Sequence, residues 1–267
     1  MWYKLKRILI YPDGVTEKQV YPAWNGDLSK IWTPTSFTLS SPIVGWRSIV
    51  FSKDGRYFYI SWYKWDSTNG GIQQYECSTP RDITTASISY NAGLGTTSSI
   101  WNYPRAILAN EWQYYYYQDY ASSNRWLVQY SLGTAWDLSS TKTQITKYSW
   151  IIEPVWMSED GKKFIRSTDS NNLYYSTSNT AWAINTSWTN VSSTRCCDFS
   201  IDGTFFYTVT SWTLTQYSLA TPFDPTSTKT QIQQVVLSNS ESWIRFDTYW
   251  NNLYTIRNNK IYQYSLL

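Results

Sequence analysis

The sequence predicts an all-β fold, a β-propeller of five four-stranded blades, and three observations predict it. A phrase recurs: "IQQYECSTPRDITTAS" from Ile72 returns as "LVQYSLGTAWDLSST" from Leu127, as "LTQYSLATPFDPTST" from Leu214, and clipped as "IYQYSL" from Ile261. Tyrosines used as a ruler through the copies, Tyr75, Tyr130, Tyr175, Tyr217 and Tyr264, are spaced by 55, 45, 42 and 47 residues, a period that belongs to propeller blades. Upstream of three of them an Asp-Gly pair joins two apolar runs: "IVFSKDGRYFYI" at 49–60, "VWMSEDGKKFIR" at 155–166 and "CDFSIDGTFFYT" at 197–208. That pattern is a strong hairpin signal, because glycine supplies positive φ without steric cost.

Taken in chain order, residues 5–22 come first. An alternating segment, a Pro-Asp-Gly turn and a second extended segment make them a hairpin arm outside the ring. The expected division is an arm over 1–31 and a propeller over 32–267. The blades fall near 45–90, 98–148, 150–191, 193–232 and 234–267. Each reads as one strand before the Asp-Gly turn, one after it, one carrying the "QY" phrase and one that follows the phrase.

Blades two and five lack the Asp-Gly pair, and in blade five Asn251 and Asn252 tolerate the turn instead. The last blade stops at the phrase. "WTPTSFTLSSPIV" at 32–44 matches its missing fourth strand, with Thr33-Pro34 standing where Thr79-Pro80 stands in blade one. An N-terminal strand is therefore expected to complete blade five and hide a sticky edge. Six blades is the alternative, if the N-terminal segment builds a sheet of its own.

Composition fits strands. The 267 residues include 17 Trp, 24 Tyr and 9 Phe, an aromatic share of 19%, against only 15% charged residues, so the polar surface is largely Ser, Thr, Asn and Gln. The net charge of +3 comes from scattered cations, which argues against a nucleic-acid partner. No apolar window reaches membrane-spanning length, so no membrane insertion is expected. The basic start is followed only by the short apolar run at 8–11, unlike a secretory signal. Cys77, Cys196 and Cys197 read as buried fillers rather than a disulfide framework.

The composite "FSKDGRYFYI" followed by "IQQYECSTPRDITTAS" resembles the propeller repeats of tailed-phage virion proteins, over roughly residues 45–267. The leader "KRILIYPDGVTEKQVYP" is similar to the short leaders of such tail-associated proteins. The resemblance implies a non-enzymatic, tail-associated structural protein located in the virion, held to other virion proteins through its arm and meeting a host-surface glycan or receptor. The alternative is a phage-associated glycan-binding lectin or glycoside hydrolase. Arg81 departs from the repeat where a tryptophan usually stands, and Ala183 departs where the phrase has its aspartate.

Chemistry is restricted by the absence of histidine, which removes the usual general base and the commonest metal ligand. Asp54, Asp160 and Asp202 occupy equivalent turns around a ring and read as turn formers. Asp82, Asp137 and Asp224 of the phrase are lone carboxylates, too few oxygens for calcium, and are expected to cap the bend into the fourth strand. No catalytic residue, cofactor or metal ligand is expected. The candidate binding patch is aromatic: Trp62, Tyr63 and Trp65 from the connection of blade one at 61–71, with Tyr120, Arg125 and Trp126 from that of blade two at 118–126. Trp188, Trp212 and Trp250 are odd in another way, standing where turn or small residues would be expected.

Overall fold

The computed structural model describes residues 28, 34–39, 45–52, 54–63, 69–96, 106–109, 113–121, 124–135, 137–149, 154–168, 172–185, 187–194, 196–200, 202–210, 213–237, 243–246, 252–257 and 260–266. Among them, twenty strands form five antiparallel four-stranded sheets. Blade one comprises β2 (Gly45–Phe51), β3 (Tyr57–Tyr63), β4 (Asn69–Cys77) and β5 (Ala86–Thr96). Blade two comprises β6 (Ala106–Ala109), β7 (Tyr114–Ala121), β8 (Asn124–Leu132) and β9 (Lys142–Ser149). Blade three is β10 (Pro154–Met157), β11 (Lys163–Ser167), β12 (Leu173–Thr177) and β13 (Thr189–Ser192), and blade four is β14 (Cys196–Phe199), β15 (Phe205–Thr210), β16 (Thr213–Leu219) and β17 (Lys229–Val236).

Blade five joins the two ends of the chain. β18 (Ile244–Phe246), β19 (Asn252–Arg257) and β20 (Lys260–Ser265) are completed by β1 (Thr35–Thr38), which pairs with β20 from Thr35 opposite Gln263 to Thr38 opposite Lys260. The first strands of the blades meet in cyclic order, β2 with β6, β6 with β10, β10 with β14, β14 with β18, and β18 again with β2. The ring is closed, and closure by exchange covers the edge of β20 that would otherwise lie open.

Strand pairing corrects the ruler in blade three. Phe58, Tyr115, Phe206 and Leu253 lie opposite Tyr75, Tyr130, Tyr217 and Tyr264, but Phe164 lies opposite Ser176. Tyr175 is thus one position out of phase and takes the place that glutamine holds in the other copies. A slip of one residue moves a side chain to the other face of its sheet; Tyr175 stays buried there.

A second correction concerns the N-terminus. Leu28 lies in a 3-10 turn and is 0% exposed, like Ile83 in the 3-10 turn Ile83–Thr85, and Leu138 is equally buried. Each follows an aspartate, so the counterpart of the phrase turn is Asp27-Leu28 rather than Thr33-Pro34. Leu28 belongs to the main core cluster, so the core takes in a residue on the arm side of the expected division at 31. The hairpin expected over 5–22 lies outside the described residues.

The core sits between blades. Aromatic rings cross three of the boundaries at short range, Phe51 against Tyr254 at 4.0 Å, Trp156 against Phe199 at 4.4 Å and Tyr207 against Phe246 at 4.7 Å. Polar latches repeat beside them. The Tyr116 hydroxyl donates to the Trp182 carbonyl at 3.0 Å and the Tyr254 hydroxyl to the Arg81 carbonyl at 2.8 Å, each reaching the phrase turn of the following blade. The phrase glutamine reaches the same turn of the following blade: Gln74 Oε1 accepts the Leu138 N–H and Gln263 Oε1 the Ile83 N–H, both at 3.3 Å. The glutamine of the "QY" pair and a tyrosine of the preceding strand are therefore devices for joining neighbouring blades. Among the described residues no helix is long and apolar enough to cross a membrane.

Candidate functional site

One end of the ring carries the Asp-Gly turns. In each of them a serine hydroxyl donates to the aspartate two residues on, Ser52 to Asp54 at 2.5 Å, Ser158 to Asp160 at 2.5 Å and Ser200 to Asp202 at 2.6 Å. The same oxygens accept the N–H groups of Tyr57, Lys163 and Phe205 at 2.8–2.9 Å. Each aspartate also accepts the N–H of the residue two further on, all at 3.0 Å. These carboxylates are spent on their own turns.

The phrase packs on those turns. Gly55, Gly161 and Gly203 have φ of 73°, 64° and 72°, and Arg81, Trp182 and Phe223, also left-handed at 67°, 65° and 57°, donate their N–H groups to the three glycine carbonyls at 2.8–2.9 Å. A Cβ on any of these glycines would lie 2.2–2.4 Å from the covering side chain. Arg81 stands in for tryptophan because its aliphatic stem covers Gly55 as the rings cover the other two.

The phrase aspartates are caps, as expected. Asp82 accepts from the Thr84 N–H at 2.9 Å, Asp137 from Ser139 at 2.8 Å and Asp224 from Thr226 at 2.9 Å, and the three hydroxyls of those residues donate to the same oxygens. In blade three, where Ala183 has no acceptor, Asn185 takes over by accepting the Ser187 N–H at 3.1 Å and donating to the Thr177 carbonyl at 3.0 Å. The Ser139 hydroxyl is the main reason the Asp137 carboxyl sits below the usual carboxylate range. For Asp160 and Asp202 burial pushes upward, but hydrogen bonds from serine and backbone outweigh it and the carboxyls are held low.

The aromatic patch lies at the opposite end. Trp62 and Tyr63 close β3, Tyr120 lies near the end of β7, Arg125 and Trp126 open β8, and Trp65 lies outside the described residues. The connections are shorter than expected, because the strands run on: Tyr63 pairs with Gly70 and Ala121 with Asn124, so most of 61–71 and 118–126 is hairpin ladder rather than loop. Tyr120 and Arg125 are cross-strand partners, as are Asp119 and the half-buried Trp126. Trp188 is accounted for: it packs edge-on to Phe164 at 5.8 Å and carries the Arg166 guanidinium at 4.5 Å.

A site that sequence reasoning missed lies at the turn end. There a cavity of about 360 Å³ opens where blades one, three, four and five converge, with Phe51, Trp156, Phe199, Phe223 and Phe246 among its walls. Its charged groups are Glu159, Asp160, Lys163, Asp198 and Arg245. Asp198 is only 4% exposed. Its carboxylate accepts the N–H groups of Phe199 and, across the blade boundary, Phe246, both at 2.9 Å, and Arg245 Nη1 stands 3.5 Å away. Burial raises the Asp198 carboxyl, against the opposing pull of Arg245 and the two N–H groups. Lys163 Nζ donates to the Pro222 carbonyl at 3.2 Å and lies over the Phe223 ring at 5.5 Å. Directly behind, burial holds the Cys197 thiol protonated, and Cys77 is pushed up to about 12, so neither is a ready nucleophile. The signal available in the sequence was the breaking of the repeat: an aspartate in "CDFS" where blade one has valine in "IVFS".

No protein-family model matches the sequence, and no curated protein is similar to it. Among solved structures, a gluconolactonase from Xanthomonas campestris superposes with a TM-score of 0.50 at 9% identity, covering 91% of both chains. The chain is a β-propeller. A functionally unknown protein from Desulfotomaculum acetoxidans (TM-score 0.45, 12% identity, 80% of this chain) and the Dos1 propeller (0.42, 11%, 81%) are similar in part, and the chain spans 63% and 53% of their lengths. At such identities the likeness is one of fold, which hosts many unrelated activities.

Proposed function

We propose that the chain is a non-enzymatic, tail-associated propeller of a tailed-phage virion, a binding module fixed to other virion proteins by its N-terminal arm. The observation that carries the non-enzymatic part is the commitment of the repeat carboxylates. The turn aspartates of three blades and the phrase aspartates of three blades are each engaged in local hydrogen bonds, so they build the scaffold rather than a converging acid-base pair. The virion part is supported by the resemblance of the repeats and the leader. On this reading the hairpin end, with Trp62, Tyr63, Trp65, Tyr120, Arg125 and Trp126, is a surface for a neighbouring protein or a host receptor.

The test is a deletion of residues 2–22, which stops short of the buried Leu28. The shortened protein is expected to keep its strand-rich circular dichroism and melting temperature, yet to be missing from purified particles by immunoblot. Normal incorporation of the shortened protein would end the attachment idea.

A further inference from the structure

The cavity at the turn end is polar where the repeat is not. By strand register, Lys163 stands where blades one, two and four have Tyr57, Tyr114 and Phe205. Asp198 and the neighbouring Arg245 stand where blades one and three have Val50 and Trp156. Glu159, at the second position of its turn, replaces Lys53 and Ile201. Three departures from the repeat, Lys163, Asp198 and Arg245, therefore converge with Glu159 on one cavity, although the positions are far apart in the chain. Burying Asp198 costs desolvation that an aliphatic residue avoids, and its bonds to the Phe199 and Phe246 N–H groups offset that cost without accounting for Lys163 and Arg245 beside it.

Resting on the reading of the ring as a binding module, we propose that this cavity is a binding site for a neutral saccharide unit. Three carboxylates, Glu159, Asp160 and Asp198, stand against two cations, Lys163 and Arg245, which gives no net attraction for an anion. Sugar hydroxyls suit a mixed set, because each donates to a carboxylate and accepts from an ammonium or guanidinium. The walls supply the complementary apolar surface: Trp156 and Phe223 are parallel to within 16° with centroids 5.9 Å apart, and Phe223 is half-buried, so aromatic surface is presented to the C–H groups of a pyranose. Glu159 is exposed at the opening, while Arg245, whose side chain is 24% exposed, stands beside the buried Asp198. The volume of about 360 Å³ is at the small end of ligand clefts, which suits a single unit rather than a long chain.

The experiment uses the full chain and the methyl glycosides of glucose, galactose, mannose and N-acetylglucosamine, with glucuronate as the anionic control, observed by saturation-transfer NMR. At least one neutral glycoside is expected to receive saturation, and its affinity is expected to fall by roughly fivefold or more in Glu159→Gln and in Lys163→Met, a loss of about 1 kcal/mol. Both variants should keep the parent melting temperature, and Val236→Ser, an exposed position in the outer strand of blade four and outside the cavity, should bind as the parent does. No transfer to any neutral glycoside at about 10 mM (a dissociation constant weaker than that is under about 3 kcal/mol of binding), a preference for glucuronate, or binding unchanged in both cavity variants would each overturn the proposal. Particle incorporation of the arm deletion does not depend on any of these outcomes, so the two readings fail separately.

Discussion

Residues with positive φ hold the turn end together. Phe223 at 57° lies on Gly203 at 72°, and the N–H of one donates to the carbonyl of the other. Both conformations are disfavoured for side chains other than glycine, yet Arg81, Trp182 and Phe223 adopt theirs because the stacking contact and hydrogen bond over-determine them. Gly203→Ala would add a Cβ 2.3 Å from the Phe223 ring on a left-handed backbone. It is expected to cost about 2–4 kcal/mol in urea unfolding, from backbone strain plus displacement of the ring. Gly133, whose added Cβ would meet its nearest neighbour at 3.4 Å and which has no left-handed φ, is the control. Gly133→Ala should stay within about 1 kcal/mol of the parent. Equal costs at the two sites would refute the account of the turn.

Single strands carry the closure. β1 has four residues, and its Phe37 packs edge-on against Phe58 at 6.3 Å and Tyr75 at 5.8 Å, binding the N-terminal strand of blade five to the core of blade one. Phe37→Ala is therefore expected to destabilise the ring by about 2–3 kcal/mol, less than a fully buried phenylalanine because Phe37 is half-buried. If the unfolding midpoint does not move, β1 is decoration and the ring is held by the other contacts of blade five. The outer strands differ in another respect. "STKTQI" occurs at 140–145 and again at 227–232, yet its lysine is used differently: Lys142 Nζ donates to the Leu138 carbonyl within blade two, whereas Lys229 Nζ reaches the Val191 carbonyl of blade three. Ile145 and Ile232 stay exposed because each lies at the bulge of its ladder, where the strand has one residue more than its partner.

Acid stability belongs to the whole ring. Asp137, Asp160 and Asp202 are held below the ordinary 3.8, so their contribution is complete above that value and is lost as pH falls through it. Asp198 is raised, so its contribution runs the other way: the folded state binds its proton more readily, and stability falls as pH rises above 3.8. In acid, protonation of Asp137, Asp160 and Asp202 therefore destabilises the ring while Asp198 opposes it. Asp202→Asn should lower the urea midpoint at pH 7 and shrink the drop seen between about pH 5 and 2. An acid limb as steep as that of the parent would mean that Asp202 is not one of the groups responsible. The topology also fixes an end-to-end polarity: β20 finishes and β1 begins at the turn end, so the described chain ends share the end that holds the cavity, opposite the aromatic hairpins.

By itself the sequence determined the repeat, the hairpins, the capping role of Asp82, Asp137 and Asp224, and the completion of blade five by an N-terminal strand. Each depends on local chemistry or on periodicity, and both are written in neighbouring residues. Tertiary structure alone decided the rest. It set Ser176 rather than Tyr175 opposite Phe164, because register is chosen by which side chains a neighbouring blade can bury. It made Leu28 part of the core, because a phrase cut by the chain ends is reassembled only when the ring closes. It gathered Glu159, Lys163, Asp198 and Arg245 around one cavity, because a radial fold brings the inner strands of separate repeats to a common axis, and no linear spacing in the chain records that meeting.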